Sequence, residues 1–182
     1  MKTPFTLLLA AVLMFSFLVP AQATIGRDIL LVTRSVGSWV YTDVAIVLTR
    51  DGILWYFDLR EVPQEIKGDP EELLFYLQLH GLGGKRVVEA APDPVSLSTV
   101  TTEQVQQVVD QLALLREVPF EPKFYATDLG SMVLYAIYHD GGEARLTMLS
   151  EDGSYYGSSQ DPAAQALIRL FRQLAEGEPI GF

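Results

Sequence analysis

The segment Ser131–Ser150, SMVLYAIYHDGGEARLTMLS, spells out a β-hairpin and narrows the folds open to the chain more than any other stretch. Val133, Tyr135 and Ile137 share one face of a first strand, and Ala144, Leu146 and Met148 share one face of a second. Asp140-Gly141-Gly142 between them supplies residues that tolerate the positive φ of a tight connection. The turn centres on Asp140-Gly141 or on Gly141-Gly142. The two differ by two residues in pairing, so each keeps the same apolar face inward.

A second hairpin is written earlier. Tyr41–Thr49 and Ile53–Leu59 flank Asp51-Gly52, which reads as a two-residue turn. In that register Val44 faces Leu59, Ile46 faces Phe57 and Leu48 faces Trp55 on an apolar side. Asp43 faces Arg60, Ala45 faces Asp58 and Val47 faces Tyr56 on a mixed side, as in a sheet covered on one face. Ile29–Arg34 is a short strand ending in a loop at Ser35-Val36-Gly37-Ser38. Glu61–Gly68 reads as a polar loop, Val95–Val100 as a strand, and Gly81–Pro94, with a strand candidate at Arg86–Glu89, as an internal loop.

Three helices have clear start signals. Asp69 is an N-cap before Pro70, with Glu72 at N3 and Gly81 as the stop, giving a short helix 70–80 that is apolar on more than one side. Thr101 and Gln104 form a capping box ahead of helix 102–116, whose stripe is Val105, Val108, Val109, Leu112 and Leu115. Asp161-Pro162 opens helix 162–176, striped by Leu167, Leu170, Phe171 and Leu174 and stopped by Gly177. The expected fold is α+β: an antiparallel β-sheet of about five to seven strands, two main helices on one face, and a short extra helix. The Asp-Gly turns and Asp-Pro starts recur at similar spacing, so 41–81 and 132–177 read either as a duplicated hairpin–helix unit or as independent uses of common turn and cap residues.

Residues 1–23 read as a signal peptide. Lys2 is the basic start, Phe5–Val19 the apolar stretch, Pro20 the break, and Ala21-Gln22-Ala23 the small-x-small cleavage site. The apolar run is shorter than the roughly 20 residues a spanning helix needs. The expectation is one α+β domain over 24–182, exported to the periplasm or outside the cell, with no stable membrane insertion after cleavage. The chain has no cysteine, which removes a lipobox, disulfides, thiol nucleophiles and thiolate metal sites. Its net charge of −10 argues against nucleic acid as a partner.

Motifs for catalysis and cofactors are missing from the pattern. His80 and His139 have no metal-ligand spacing; His80 suits a last helical turn and His139 a half-covered strand end beside the turn. Gly81-Leu82-Gly83-Gly84-Lys85 departs from a phosphate loop at both ends. Gly153-Ser154-Tyr155-Tyr156-Gly157 reads as a turn, not a nucleophile elbow, and Glu151–Asp161 lacks the ligand alternation of a calcium loop. No catalytic, cofactor-binding or metal residue is therefore assigned, and no cofactor is expected. Asp43 and Asp58 fall on one predicted sheet face, the arrangement an acid–base pair needs, although a cross-strand pair with Arg60 also accounts for Asp43. Trp55, Tyr56, Tyr155 and Tyr156 fit strands as core or edge residues. Trp39 sits in a loop, where an indole suits a contact anchor. The candidate partner contacts are Ser35, Gly37, Ser38 and Trp39 in one loop and Gly83, Gly84 and Arg86 in another.

The order of segments resembles a known family. Arg34-Ser35-Val36-Gly37 follows an opening strand, then come a hairpin, a Thr-rich strand entering the Thr101–Arg116 helix, a Pro-containing stretch with Asp128, the Tyr135…Gly141-Gly142 hairpin and a Pro-started last helix. This pattern is similar to the emfourin-like proteins, small bacterial α+β domains named for an inhibitor of thermolysin-type metalloproteases. Glu61–Ala91 stands as an insertion and Ser35-Val36-Gly37 lacks the usual double glycine, so no inhibitory residue is carried over. The expected function is an exported, soluble, non-enzymatic binding protein of the bacterial cell envelope with a protein partner. The alternatives are an emfourin-type protease inhibitor, a hydrolase working through carboxylates and tyrosines, and a structural envelope protein marked by an exposed apolar patch on helix 70–80.

Overall fold

The structure, a computed structural model, describes residues 29–37, 42–81, 95–116, 120–140 and 143–176. The strands are β1 (Ile29–Gly37), β2 (Thr42–Thr49), β3 (Ile53–Asp58), β4 (Val95–Thr99), β5 (Lys123–Phe124), β6 (Ser131–Asp140), β7 (Glu143–Gly153) and β8 (Tyr155–Ser158). The helices are α1 (Gln64–Gly68), α2 (Pro70–Gly81), α3 (Thr102–Leu114) and α4 (Pro162–Ala175). All eight strands form one antiparallel sheet in the order β4-β3-β2-β1-β6-β7-β8-β5. The class is α+β as expected, but the strand count exceeds five to seven. The Gly153–Gly157 stretch, read as a turn, contributes β8, which in turn pairs with the two residues of β5. None of the described helices is long and apolar enough to cross a membrane.

The sheet is built around β1. Its end, expected as a loop, is strand: Ser35 and Val36 pair with Val44 and Asp43 on one side and with Met132 and Ser131 on the other. The backbone groups of Ser35 and Val36 are satisfied from both neighbouring strands, and Gly37 pairs with Thr42 of β2. The run Glu61–Gly68 is also more than a polar loop, since it winds into α1 and buries Val62 and Lys67.

The β2–β3 register differs from the expected one by a single residue. Val44 pairs with Asp58, Ile46 with Tyr56 and Leu48 with Leu54. The connection is three residues long, closed by Gly52 N–H donating to Thr49 O at 3.0 Å, with Gly52 at φ +83°. This is the hairpin type in which a glycine takes the left-handed position after a tight turn. A Cβ on Gly52 would also lie 2.8 Å from Val100 O. Because side chains alternate, the slip sends β3 residues to faces opposite to those expected. Leu54 and Tyr56 join Ile46 and Leu48 on one face, and Trp55 and Phe57 join Ala45 and Val47 on the other.

Both sheet faces are consequently apolar and both are covered. On one, Leu31, Ile46, Leu48, Leu54, Leu134, Ala136 and Leu149 pack against Val105, Val108 and Leu112 of α3 and Ala164, Leu167 and Phe171 of α4. On the other, Val32, Ala45, Val47, Phe57 and Ile137 pack against Leu73, Leu74, Tyr76 and Leu77 of α2. The short helix is thus the cover of the second face, and it exposes only Phe75 among its described large apolar side chains. The expected caps are in place. Asp69 Oδ1 accepts from the N–H groups of Glu71 and Glu72 at 2.9 and 3.2 Å, and Asp161 Oδ1 accepts from Ala164 N–H at 3.0 Å. Thr101 and Gln104 exchange both bonds of the capping box.

In the second hairpin Asp140 pairs with Glu143, which rules out a turn centred on Asp140-Gly141; Gly141 and Gly142 themselves lie outside the described residues. Tyr135 and Ile137 pair with Met148 and Leu146 on a shared face, as expected, but that face looks toward α2. Leu149 is an extra residue between the pairs Tyr135–Met148 and Leu134–Ser150, and this bulge turns it into the α3–α4 core.

Candidate functional site

At the far edge of the sheet, β5 and β8 form a short ribbon that carries four aromatic rings. Lys123 pairs with Tyr156 and Phe124 with Tyr155, and Tyr125 N–H donates to Ser154 O at 2.9 Å. Neighbouring strand residues point to opposite faces, so each doublet places one ring on each side. Phe124 and Tyr155 meet edge-on at 5.6 Å on one side, and Tyr125 and Tyr156 at 5.9 Å on the other. Exposure is 60% for Phe124, 69% for Tyr125 and 47% for each of Tyr155 and Tyr156.

Local backbone geometry holds the ribbon in place. Gly153, at φ +133°, turns β7 into β8, and a Cβ there would sit 2.5 Å from Gly130 O. Ser154 N–H then donates to that same carbonyl at 2.8 Å. Further along β8, Gly157 leaves room for the Phe120 ring, whose edge would lie 3.1 Å from an added Cβ. The rings are therefore presented on fixed backbone. Edge-to-face pairs contribute about 0.5–1.5 kcal/mol each beyond burial, enough to orient rings but less than burying them would give.

A groove lies on the α2 face of the sheet. One cleft of about 400 Å³ is lined by Glu71, Glu72, Leu74, Phe75, Ile137, Ala144, Arg145 and Leu146. A second, of about 450 Å³, is lined by Asp69, Pro70, Glu71, Tyr135, Leu146 and Met148. Burial pushes the Tyr135 phenol up from its ordinary value, and the nearby Glu151 carboxylate adds to that shift while Arg34 opposes it. Glu151 itself accepts from Ser131 Oγ at 3.0 Å.

The carboxylates do not assemble into an acid–base pair. Asp43 is buried on the α2 face, while Asp58, paired with Val44, faces the other way. Asp43 does not meet Arg60. Its oxygens accept from Arg34 Nε and Nη2 at 3.1 and 3.2 Å, and Lys67 Nζ stands 2.9 Å away. Lys67 also donates to Leu59 O at 3.1 Å, and Arg34 Nη1 donates to Lys67 O. Arg60 holds Asp58 instead, and this hydrogen bond keeps the Asp58 carboxyl below its ordinary value. The register slip places Leu59, not Arg60, opposite Asp43, and the β1–β2 pairing makes Arg34 the diagonal neighbour of Asp43.

Of the contacts named from sequence, Ser35 and Gly37 are half-buried residues of β1, while Ser38, Trp39, Gly83, Gly84 and Arg86 lie outside the described residues. His139 is exposed at the end of β6 rather than half-covered. Among the described residues no group of three or more His, Asp or Glu could hold a metal ion. The aromatic ribbon was missed, although Phe124-Tyr125 and Tyr155-Tyr156 carry a usable signal. Two adjacent aromatics in a strand cannot both face one core, so at a sheet edge one of each doublet is left toward solvent. No protein-family model matches the chain, and no curated protein matches it.

Proposed function

We propose that this chain is an exported, non-enzymatic binding protein of the bacterial cell envelope that grips a protein partner through the β5–β8 ribbon. The observation that carries this reading is the set of four half- to two-thirds-exposed rings on a short edge ribbon with fixed backbone. Aromatic side chains dominate protein contact hot spots because they bury large areas at small entropic cost. The net charge of −10 of the whole chain argues against nucleic acid as that partner. The separation of Asp43 from Asp58, and the depressed carboxyl of Asp58, leave the hydrolase alternative without its acid–base pair.

The test compares envelope proteins retained by the chain over residues 24–182 with those retained by its Tyr125→Ala/Tyr156→Ala variant. A partner that binds the wild type and loses roughly tenfold or more in affinity for the variant supports the reading. Equal retention by both contradicts it. A thermolysin-type metalloprotease belongs in the same assay, since the resemblance to emfourin-like proteins makes it the first defined partner to try.

A further inference from the structure

We propose a second binding site, distinct from the ribbon: the groove between α2 and the β6–β7 hairpin takes an extended, cationic, amphipathic peptide segment. The two clefts of about 400 and 450 Å³ share Glu71 and Leu146 and so run into one another along β7. Their floor is apolar. Ile137 is buried, Leu146 and Met148 are half-buried, and Ala144 is exposed. Ala144, Leu146 and Met148 recur at every second residue, the spacing at which an extended ligand presents side chains to one surface.

Charge selects the sign of that ligand. Asp69, Glu71 and Glu72 line the wall of the groove, against Arg145 on the other side. The N-terminus of α2 carries a partial charge of only about +0.5, which three carboxylates outweigh. Asp69 also caps the helix directly, accepting from two of its free N–H groups. The Glu71 and Glu72 side chains are exposed beside the groove, and the net charge of −10 extends the same sign over the molecule. Alternate apolar residues of the ligand reach Leu146 and Met148, and the cationic residues between them reach Glu71 and Glu72.

The probe is the synthetic peptide acetyl-Leu-Lys-Leu-Lys-Leu-amide, titrated into the methyl-labelled chain over residues 24–182 and followed by NMR. Its counterpart with glutamate in place of lysine is the control. The expected result is saturable movement of the Ile137, Leu146 and Met148 methyl signals with the lysine peptide alone. Affinity should fall roughly tenfold in Glu71→Gln/Glu72→Gln and with added salt. Ala144→Arg, at an exposed position and therefore compatible with folding, should abolish it. Equal binding of both peptides, movement confined to the β5–β8 ribbon, no movement with either peptide, or unchanged affinity in the Gln variant would each overturn the proposal. So would movement of the same methyls on raising protein concentration without peptide, which would make a second copy the occupant.

Discussion

The ammonium of Lys67 lies 2.9 Å from the carboxylate of Asp43, and each side chain is only 4% exposed. Lys67 belongs to α1, outside the sheet, and Asp43 to β2, so this contact pins the helical cover of the second face to the strands beneath it. Arg34 completes the cluster from β1. Removing the anion strands two cations in or near the interior, which costs about 3–5 kcal/mol in buried pairs of this kind. Asp43→Ala should lower stability by that order in urea unfolding. Lys67→Met should cost less, about 1–3 kcal/mol, because Asp43 keeps Arg34 while Leu59 O loses its donor.

The β2–β3 connection yields a second expectation. Gly52→Ala forces a side chain into left-handed backbone, a cost of about 1–2 kcal/mol, and drives its Cβ toward Val100 O. Unfolding measurements should show a loss of at least that size. An unchanged midpoint would contradict the three-residue connection and with it the assignment of faces.

That connection also marks how far the fold could be read from the residues. Caps, helix starts and the β6–β7 face were legible because Asp-Pro, Thr-x-x-Gln and alternating apolar residues act locally. The β2–β3 register was not, since Asp-Gly serves both two- and three-residue turns, and the choice is made by Gly52 packing under Val100. Continuous apolar runs such as Ile29–Val32 and Ala45–Leu48 are what strands buried on both faces carry. The alternation within the hairpin pointed instead to a sheet covered on one face, which the two cores overturn. The pairing of Asp43 with Lys67 needed α1, whose polar composition hides a helix. The ribbon needed β5 and β8 to meet across a sheet edge, and pairing between distant two- to four-residue strands leaves little local trace.

Titration should follow the local charges. Asp58 is held below its unfolded value of 3.8 by Arg60, so its small stabilising contribution is present above that pH and is lost as pH falls through the folded value. Arg60→Ala should return the Asp58 carboxyl toward 3.8 in NMR titrations. Tyr135 shifts the other way. Its phenol should keep its proton beyond pH 10.0, and the stability linked to it is present below that pH and lost as pH rises through the folded value. Glu151→Gln should lower the Tyr135 midpoint without restoring 10.0, because burial is the larger cause.

The helix caps give a simpler expectation. Asp161 receives the Ala164 N–H at 3.0 Å in a buried setting, so Asp161→Ala should cost about 1–2 kcal/mol while leaving the ribbon rings unmoved.

The most direct measurement places a photo-crosslinking amino acid at Tyr125 or Tyr156, with Leu114 of α3 as a control that is 59% exposed. Irradiation of cells that produce the chain should give a discrete protein adduct from positions 125 and 156 and none from 114. Adducts from 114 alone, or equally from all three positions, would contradict the ribbon as the partner contact.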